Sequence, residues 1–115
     1  VAAGIDVNAL RSTEIERYPS GEGRGFGASG GVTQAVKALA PSTLKITDIQ
    51  INGIDKAAIR QLKSFPKSCP GNFVEVMTCE GGCIGGCNVI SNPKVALRQL
   101  KQAVEAAPSI VNQEV

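Results

Sequence analysis

The sequence predicts a small α/β unit in which helices and strands alternate. Three helix-like apolar patterns and two strand-like runs follow one another between residues 32 and 107, in the order helix, strand, helix, strand, helix. Short links between alternating elements are typical of parallel strands joined by right-handed crossovers. Because two strands form only a thin sheet, we expect residues 1–115 to be a single fragment of a larger domain, with residues 32–107 as its core.

The composition is that of a globular protein with an aliphatic core. The chain has 115 residues, enough for one domain or part of one, and 43% of them are hydrophobic against 19% charged. Aromatic residues make up only 3% and Trp is absent, so aliphatic side chains must fill the core. No apolar run approaches the ~18 residues that indicate a membrane helix, so we expect no membrane span.

Two further features of the composition exclude common kinds of chemistry. The chain has no His, which removes the most frequent general base, the Ser-His-Asp triad and every Cys/His zinc pattern. The net charge is only +2 and the basic residues are scattered. A phosphate-binding stripe is therefore lacking, and we predict no nucleic-acid binding.

The first 31 residues show little regular pattern. Residues 1–18 have weak apolar periodicity, and Gly4 interrupts any early helix. We expect a loose end there, from which Ile5, Val7 and Leu10 dock elsewhere. Residues 19–31 are rich in glycine and predict a loop that opens into the first helix.

The first helix and the first strand follow this loop. Ser29 can cap the helix and Pro41 ends it. Its apolar residues recur at helical spacing, namely Val32, Ala35, Val36 and Leu39. The predicted strand is Leu44–Ile51, in which a change in the parity of the apolar residues indicates a bulge near Thr47-Asp48.

The second helix has clearer boundaries. It follows a turn at Asn52-Gly53, is capped by Asp55 and ends before Pro66. The side chains predicted to face inward are Ala58, Ile59 and Leu62.

A loop over residues 67–72 then leads to the second strand, predicted as Phe73–Met77. Asn92 caps the last helix, and Pro93 occupies its first position, where the missing N–H costs nothing. Pro108 ends this helix. The predicted buried stripe comprises Leu97, Leu100, Val104 and Ala107.

The cysteine-rich stretch after the second strand carries the chemistry. Cys79, Cys83 and Cys87 are spaced Cys-x3-Cys-x3-Cys, with two Gly-Gly pairs between them. Thiolates bind soft metals, and glycine lets the backbone bend sharply, with N–H groups that can donate to sulfur. Three thiols in nine residues suit metal better than disulfides. The stretch therefore predicts an iron–sulfur or zinc ligand loop in a reducing, cytoplasmic compartment.

The role of the fourth cysteine has two alternatives. Cys69, in a Ser-Cys-Pro-Gly loop, is either a surface thiol or a further ligand. In the second case the four cysteines form a stand-alone iron–sulfur or zinc module. Glu75 and Glu80 are predicted to be solvated charges rather than acid/base groups.

A second motif, Gly25-x-Gly27-x-x-Gly30, matches the dinucleotide fingerprint in letters, and Asp48 follows at a plausible distance for a ribose contact. That fingerprint requires a buried strand immediately before its first glycine. The residues before Gly25 are polar and include Pro19, so they do not form one. We therefore favour a glycine-rich helix start over nucleotide binding.

Two stretches together resemble the iron-only (FeFe) hydrogenases. Phe73-Val-Glu-Val-Met-Thr-Cys-Glu-Gly-Gly-Cys-Ile-Gly-Gly86 is similar to that family's C-terminal motif, EVMACPGGC-x-x-G. Phe26-Gly-Ala-Ser-Gly-Gly-Val32 is similar to its FGATGGVMEA segment and lies upstream in the family's order. The resemblance covers roughly residues 4 to 90.

The resemblance implies an H-cluster, a four-iron cubane bridged by a cysteine sulfur to a diiron unit that bears CO and cyanide. Cys79 and Cys83 would ligate the cubane, and Cys83 would also form the bridge. Met77 would line the diiron pocket. The other implied cofactor contacts are Phe26, Gly27, Gly81 and Gly82. The implied reaction is reversible reduction of protons to hydrogen, with a ferredoxin-like electron carrier as partner.

The chain also departs from the family pattern. The two upstream motifs that supply the other cubane cysteines are lacking, so the resemblance implies that this chain works with the remainder of a hydrogenase polypeptide and is inactive alone. Thr33-Gln34 replaces the usual Met-Glu, Glu80 replaces Pro, and Cys87 stands where glycine is common. These differences imply a divergent member, with a sensory role or lower activity.

Overall fold

The predicted alternation of helices and strands is confirmed. The computed structural model describes residues 3–13 and 19–110, so part of the predicted loose end, at residues 1–2 and 14–18, lies outside the described residues. A 3-10 turn at Val7–Ala9 precedes the main elements. These are α1 (Gly21–Gly25), α2 (Gly31–Leu39), β1 (Asp48–Asn52), α3 (Lys56–Ser64), β2 (Phe73–Met77), a 3-10 turn at Cys83–Gly85, and α4 (Pro93–Glu105).

The two strands form a parallel sheet, as predicted. Residues pair in register from Asp48 with Phe73 to Asn52 with Met77, and α3 connects the two strands. Hydrogen bonds continue past the strand ends, since the Gly53 N–H donates to the Met77 carbonyl over 2.9 Å. The carboxyl ends of both strands therefore meet at one edge of the sheet, and the cysteine-rich stretch leaves β2 at that edge.

The first strand is shorter than predicted. It begins at Asp48 rather than at Leu44, and the predicted bulge near Thr47-Asp48 is instead the point where the strand starts. The partner strand begins at Phe73, opposite Asp48, so the residues before Asp48 have no strand to pair with there. Leu44 is accordingly 54% exposed.

The predicted glycine-rich loop contains a helix. Residues 21–25 form α1, whose N-cap Ser20 accepts a hydrogen bond from the Gly23 N–H at 3.1 Å. The prediction that Ser29 caps α2 was wrong, because the N-cap residue is Gly30, with φ at +89°. Glycine adopts that left-handed conformation without the penalty that a Cβ atom imposes.

The caps of the two later helices are confirmed. Asp55 accepts from the Ala58 N–H at 2.7 Å, and Asn92 accepts from the Lys94 N–H at 3.0 Å with Pro93 at the first helical position. Side-chain placement on α3 is only partly as predicted, since Ala58 is buried but Ile59 is 42% exposed.

The core is small. Among the described residues, the buried hydrophobic side chains are Ala35, Ile51 and Ala58. Ile5 and Leu10, which are predicted to dock elsewhere, are exposed on this chain, while the side chain of Val7 lies outside the description. The Cα radius of gyration is 18.1 Å, against ~13 Å for a compact domain of similar length. In residues 3–13 and 19–110, no helix has the length and apolarity needed to cross a membrane.

Candidate metal centre

Backbone hydrogen bonds within the cysteine loop, residues 78–87, shape its turns. The Gly82 N–H donates to the Cys79 carbonyl and the Gly86 N–H to the Cys83 carbonyl, each at 3.1 Å. Gly81 and Gly82 have φ values of +83° and +87°, in the region where only glycine is free of strain. The two glycines therefore reverse the chain between the first two cysteines.

The glycine N–H groups of this loop donate to protein oxygens. Gly81 donates to the Asn52 side chain at 2.7 Å, and Gly85 donates to the Gly82 carbonyl at 3.1 Å. Together with the bonds of Gly82 and Gly86, these account for all four glycines between Cys79 and Cys87. The structure thus uses these N–H groups to shape the loop, not for the predicted donation to sulfur.

The glycine segment, residues 25–31, lies directly against the cysteine loop. The Ser29 N–H donates to the Gly81 carbonyl and the Ile84 N–H donates to the Gly27 carbonyl, both at 3.1 Å. A Cβ atom at Gly82 would lie only 2.7 Å from the Ser29 nitrogen. The two stretches are far apart in the sequence, yet they pack backbone against backbone, and this contact requires glycine at position 82.

A buried carboxylate joins the same two regions. Glu75, in β2, is only 4% exposed. One of its oxygens accepts from the Gly30 N–H at 2.8 Å, and the other accepts from the Thr33 N–H at 2.9 Å and from the Thr33 hydroxyl. A negative charge at a helix N-terminus is favoured by the helix dipole. Glu75 therefore replaces the predicted Ser29 cap of α2.

The prediction that Glu75 is a solvated charge was wrong. The signal that could have revealed its role is its position, since it is the single charged residue in the apolar strand Phe73–Met77. A charge in the middle of an apolar strand needs hydrogen-bonding partners where its side chain is buried. Thr33, one of the residues that departs from the family motif, supplies two of the three donors and is 2% exposed.

The predicted cluster contacts differ in their exposure. Cys79 is half-buried, and Met77 is half-buried at the end of β2, while Cys83, Cys87 and Phe26 are exposed. Gly27 meets the cysteine loop through the carbonyl that Ile84 binds. Of the predicted site, the structure thus brings together Gly27 and the glycine pair of the loop, Gly81 and Gly82.

Cys69 lies apart from the other thiols. It precedes β2 whereas Cys79 follows it, and a five-residue strand spans ~16 Å. Within the part of the chain that the structure describes, no three His, Cys, Asp or Glu side chains form a group that could hold a metal ion. The stand-alone four-cysteine module is therefore not favoured. The nucleotide alternative fares no better, since helix α1, not a strand, precedes Gly27.

Perturbed carboxyl groups lie outside the cysteine loop. The pKa of Glu22 is lowered from 4.5 to about 2, chiefly because the Ser109 hydroxyl and then the Ile110 N–H donate to its carboxylate. The hydrogen bond from Lys37 likewise lowers the pKa of Asp48, at the start of β1. Both carboxylates hold elements together.

Comparison with known protein families gave a match to this chain. The model of the family described as iron only hydrogenase large subunit, C-terminal domain, matches residues 1–87. Neither the curated proteins nor the solved structures contain a match to the chain. The matched range includes the glycine segment and the cysteine loop through Cys87, and it ends before α4.

Proposed function

Because the chain belongs to the family of iron-only hydrogenase large subunits, we propose that it supplies two of the four cysteine ligands of an H-cluster in a full-length hydrogenase. Cys79 and Cys83 would hold the cubane through their sulfur atoms, and Cys83 would also hold the diiron unit. The observation that carries this proposal is the junction of the two motif stretches, where Ser29 binds Gly81 and Ile84 binds Gly27.

The residues present fit part of such a site. Thiols are the ligands that iron–sulfur clusters take, and all four cysteines are free. A Cβ atom at Gly81 would meet nothing within 4 Å, so the cysteine loop faces open space at that residue. The donor set is incomplete, since two thiols satisfy only half of a cubane.

Each residue at the junction has a limited task. Cys79 and Cys83 would bind iron through sulfur, and Met77 and Phe26 would shield the diiron unit from water. Gly27 and Gly82 permit the close approach of the two backbones. When bound, the cluster supplies the redox chemistry for reversible conversion of protons and electrons to hydrogen. The remaining ligands come from the remainder of the hydrogenase polypeptide, and a ferredoxin-like carrier in the cytoplasm exchanges the electrons.

The exposed surface supports dependence on further polypeptide. The chain exposes 9173 Å², whereas a folded monomer of its mass is expected to expose ~5,900 Å². Large hydrophobic side chains contribute to this surface, among them Leu44, Val76 and Ile90. A chain with so little core is well suited to packing against a larger domain, and we propose that it has no hydrogenase activity alone.

The test uses the full-length protein isolated anaerobically with its cluster. Cys79→Ser or Cys83→Ser is expected to remove the iron and to lower hydrogen turnover by ~100-fold or more, since loss of a ligand exceeds the effect of losing an outer-shell partner. Cys69→Ser and Cys87→Ser are the matched controls and are expected to retain both. Full iron content and turnover in Cys79→Ser would contradict the proposal.

A separate measurement addresses the four-cysteine module. The isolated chain is mixed with iron and sulfide, or with zinc, and bound metal is counted after gel filtration. We expect no stable site. A stoichiometric site that disappears in Cys69→Ser would instead favour the module.

A further inference from the structure

We propose that Glu75 is a positioning residue for the cluster loop. Its carboxylate holds the glycine segment against β2 and thereby fixes the cysteine loop that follows β2. The inference rests on the proposed function, because it concerns the geometry of a loop that holds iron, and it assigns a role to a residue outside the proposed ligands.

The first step is the position of Glu75. It lies two residues before Met77 and four before Cys79 on one continuous strand and loop. Its side chain crosses to α2, where it reaches Gly30 and Thr33. A buried charge is costly unless it is hydrogen-bonded, and both carboxylate oxygens here have donors. The carboxylate is therefore a specific link between β2 and the start of α2.

The second step is the short distance along the chain from this link to the cysteine loop. Gly30, which donates to Glu75, directly follows Ser29, which donates to Gly81. Two residues before Ser29, the Gly27 carbonyl accepts from Ile84, one residue past Cys83. Any shift of Gly30 must therefore move the residues that contact the loop on both sides of Cys83.

The third step is that only a carboxylate satisfies all the donors. The Gly30 N–H, the Thr33 N–H and the Thr33 hydroxyl all donate to Glu75. A glutamine of the same shape has one oxygen and one NH2 group. Its NH2 group would face either Gly30 or Thr33, donor against donor, so Glu75→Gln removes the link without removing side-chain volume.

The experiment compares three variants of the full-length protein isolated with its cluster. Glu75→Gln breaks the link, and Thr33→Val removes only the hydroxyl donor. Glu80→Gln is the matched control, because it removes the same charge from an exposed residue adjacent to Cys79. Three quantities are measured, namely the iron content, the electron paramagnetic resonance spectrum of the cluster, and the exchange rates of the Ser29 and Ile84 amides.

We expect Glu75→Gln to retain iron but to change the spectrum and to raise both amide exchange rates by ~10-fold or more, the size of effect of one lost buried hydrogen bond. Thr33→Val should change the same quantities in the same direction but less. Glu80→Gln should leave the amide exchange unchanged. A spectral change in Glu80→Gln as large as that in Glu75→Gln would attribute the effect to charge alone and overturn the proposal.

An unchanged spectrum and unchanged exchange in Glu75→Gln would also overturn it. If Glu75→Gln does not fold, Thr33→Val decides, and a wild-type spectrum in that variant contradicts the proposal. Failure of the proposed function has a different signature. If the proposed function fails, Cys79→Ser retains its iron. If only the present inference fails, Cys79→Ser still loses its iron.

Discussion

Two glutamates hold opposite ends of the glycine-rich stretch. Each accepts hydrogen bonds from one hydroxyl group and from backbone N–H groups. Glu75 binds Gly30 and Thr33 at the start of α2, and Glu22 binds Ser109 and Ile110 after α4. The two junctions differ in burial, since Glu75 is 4% exposed whereas Glu22 lies partly exposed at the surface.

The junctions also differ in their relation to the matched family. Every residue around Glu75 lies within residues 1–87, whereas Glu22 is tied to residues beyond that range. The Gly21 N–H adds a bond to the Pro108 carbonyl at 2.9 Å. Similar bonding thus serves two purposes. The buried junction shapes the proposed cluster loop, and the surface junction attaches the C-terminal helix to the other side of the same stretch.

The largest effect is expected from Gly82→Ala, which disturbs the backbone contact between the glycine segment and the cysteine loop, next to the buried junction. The φ of +87° penalises any side chain, and the new Cβ would lie 2.7 Å from the Ser29 nitrogen and 2.9 Å from the Gly27 oxygen. We expect a loss of ~3 kcal/mol or more in the opening free energy at Ile84, from strain combined with overpacking. Native-state hydrogen exchange in the full-length protein measures it.

Gly81→Ala is the matched control for that substitution. Its φ is similar, +83°, but its Cβ would meet nothing within 4 Å. Only the conformational penalty of ~1–2 kcal/mol then applies. Equal losses at the two positions would contradict the close backbone contact between the glycine segment and the cysteine loop.

Local signals predicted much of the fold. The bounds of β2, the Asp55 and Asn92 caps and the parallel pairing were all confirmed, because each follows from neighbouring residues or from short connections. The cap of α2 could not be predicted in this way. Ser29 has the right residue type for a cap, but Glu75, far along the chain, provides a buried carboxylate at that helix end.

In the candidate site, too, features set by neighbouring residues were predicted and features set by distant residues were not. The sequence indicated thiols and glycines in the cysteine loop, and family resemblance indicated which stretch lies beside it. The sequence did not indicate that the glycine N–H groups of this loop donate to protein oxygens, because one of the acceptors is the distant Asn52 side chain. The sequence did not reveal α1 either, because its glycines disfavour a helix. In the folded chain α1 contacts both α2 and α4.

Leu100→Ala tests the attachment of α4 with a moderate expected effect. A Cβ at Gly27 would lie 3.4 Å from the Leu100 Cδ2 atom, so this side chain covers the glycine segment from the side of α4. Because Leu100 is only half-buried, we expect a loss of ~1–2 kcal/mol, below the range for fully buried leucines. Amide exchange along α4 measures it.

The control on the same helix is Val95→Ala, at a side chain that is 45% exposed. Its effect should stay within ~0.5 kcal/mol, as for ordinary surface substitutions. If Leu100→Ala also leaves the amide exchange rates of Ser29 and Ile84 unchanged, the attachment of α4 and the buried junction are independent. Faster exchange of those amides would show instead that α4 supports the cluster loop.

The smallest effect is expected from protonation of Glu22. Its pKa is lowered from 4.5 to about 2 in the folded chain, because Ser109 and Ile110 donate to the charged form. A group with a lowered folded pKa contributes its full stabilisation above the unfolded pKa, and that contribution is lost as the pH falls. The surface junction should therefore weaken progressively between about pH 4.5 and pH 2.

The carboxyl carbon shift of Glu22, followed by NMR in the metal-free chain, measures this pKa directly. Glu22→Gln should remove the pH dependence of the Ile110 amide shift over the same range, whereas Glu105→Gln, an exposed change on α4, should leave it intact. A Glu22 carboxyl that titrates near 4.5 would show that the bonds to Ser109 and Ile110 are not formed in solution. The attachment of α4 would then rest on the Gly21–Pro108 hydrogen bond and on the packing of Leu100 against the glycine segment.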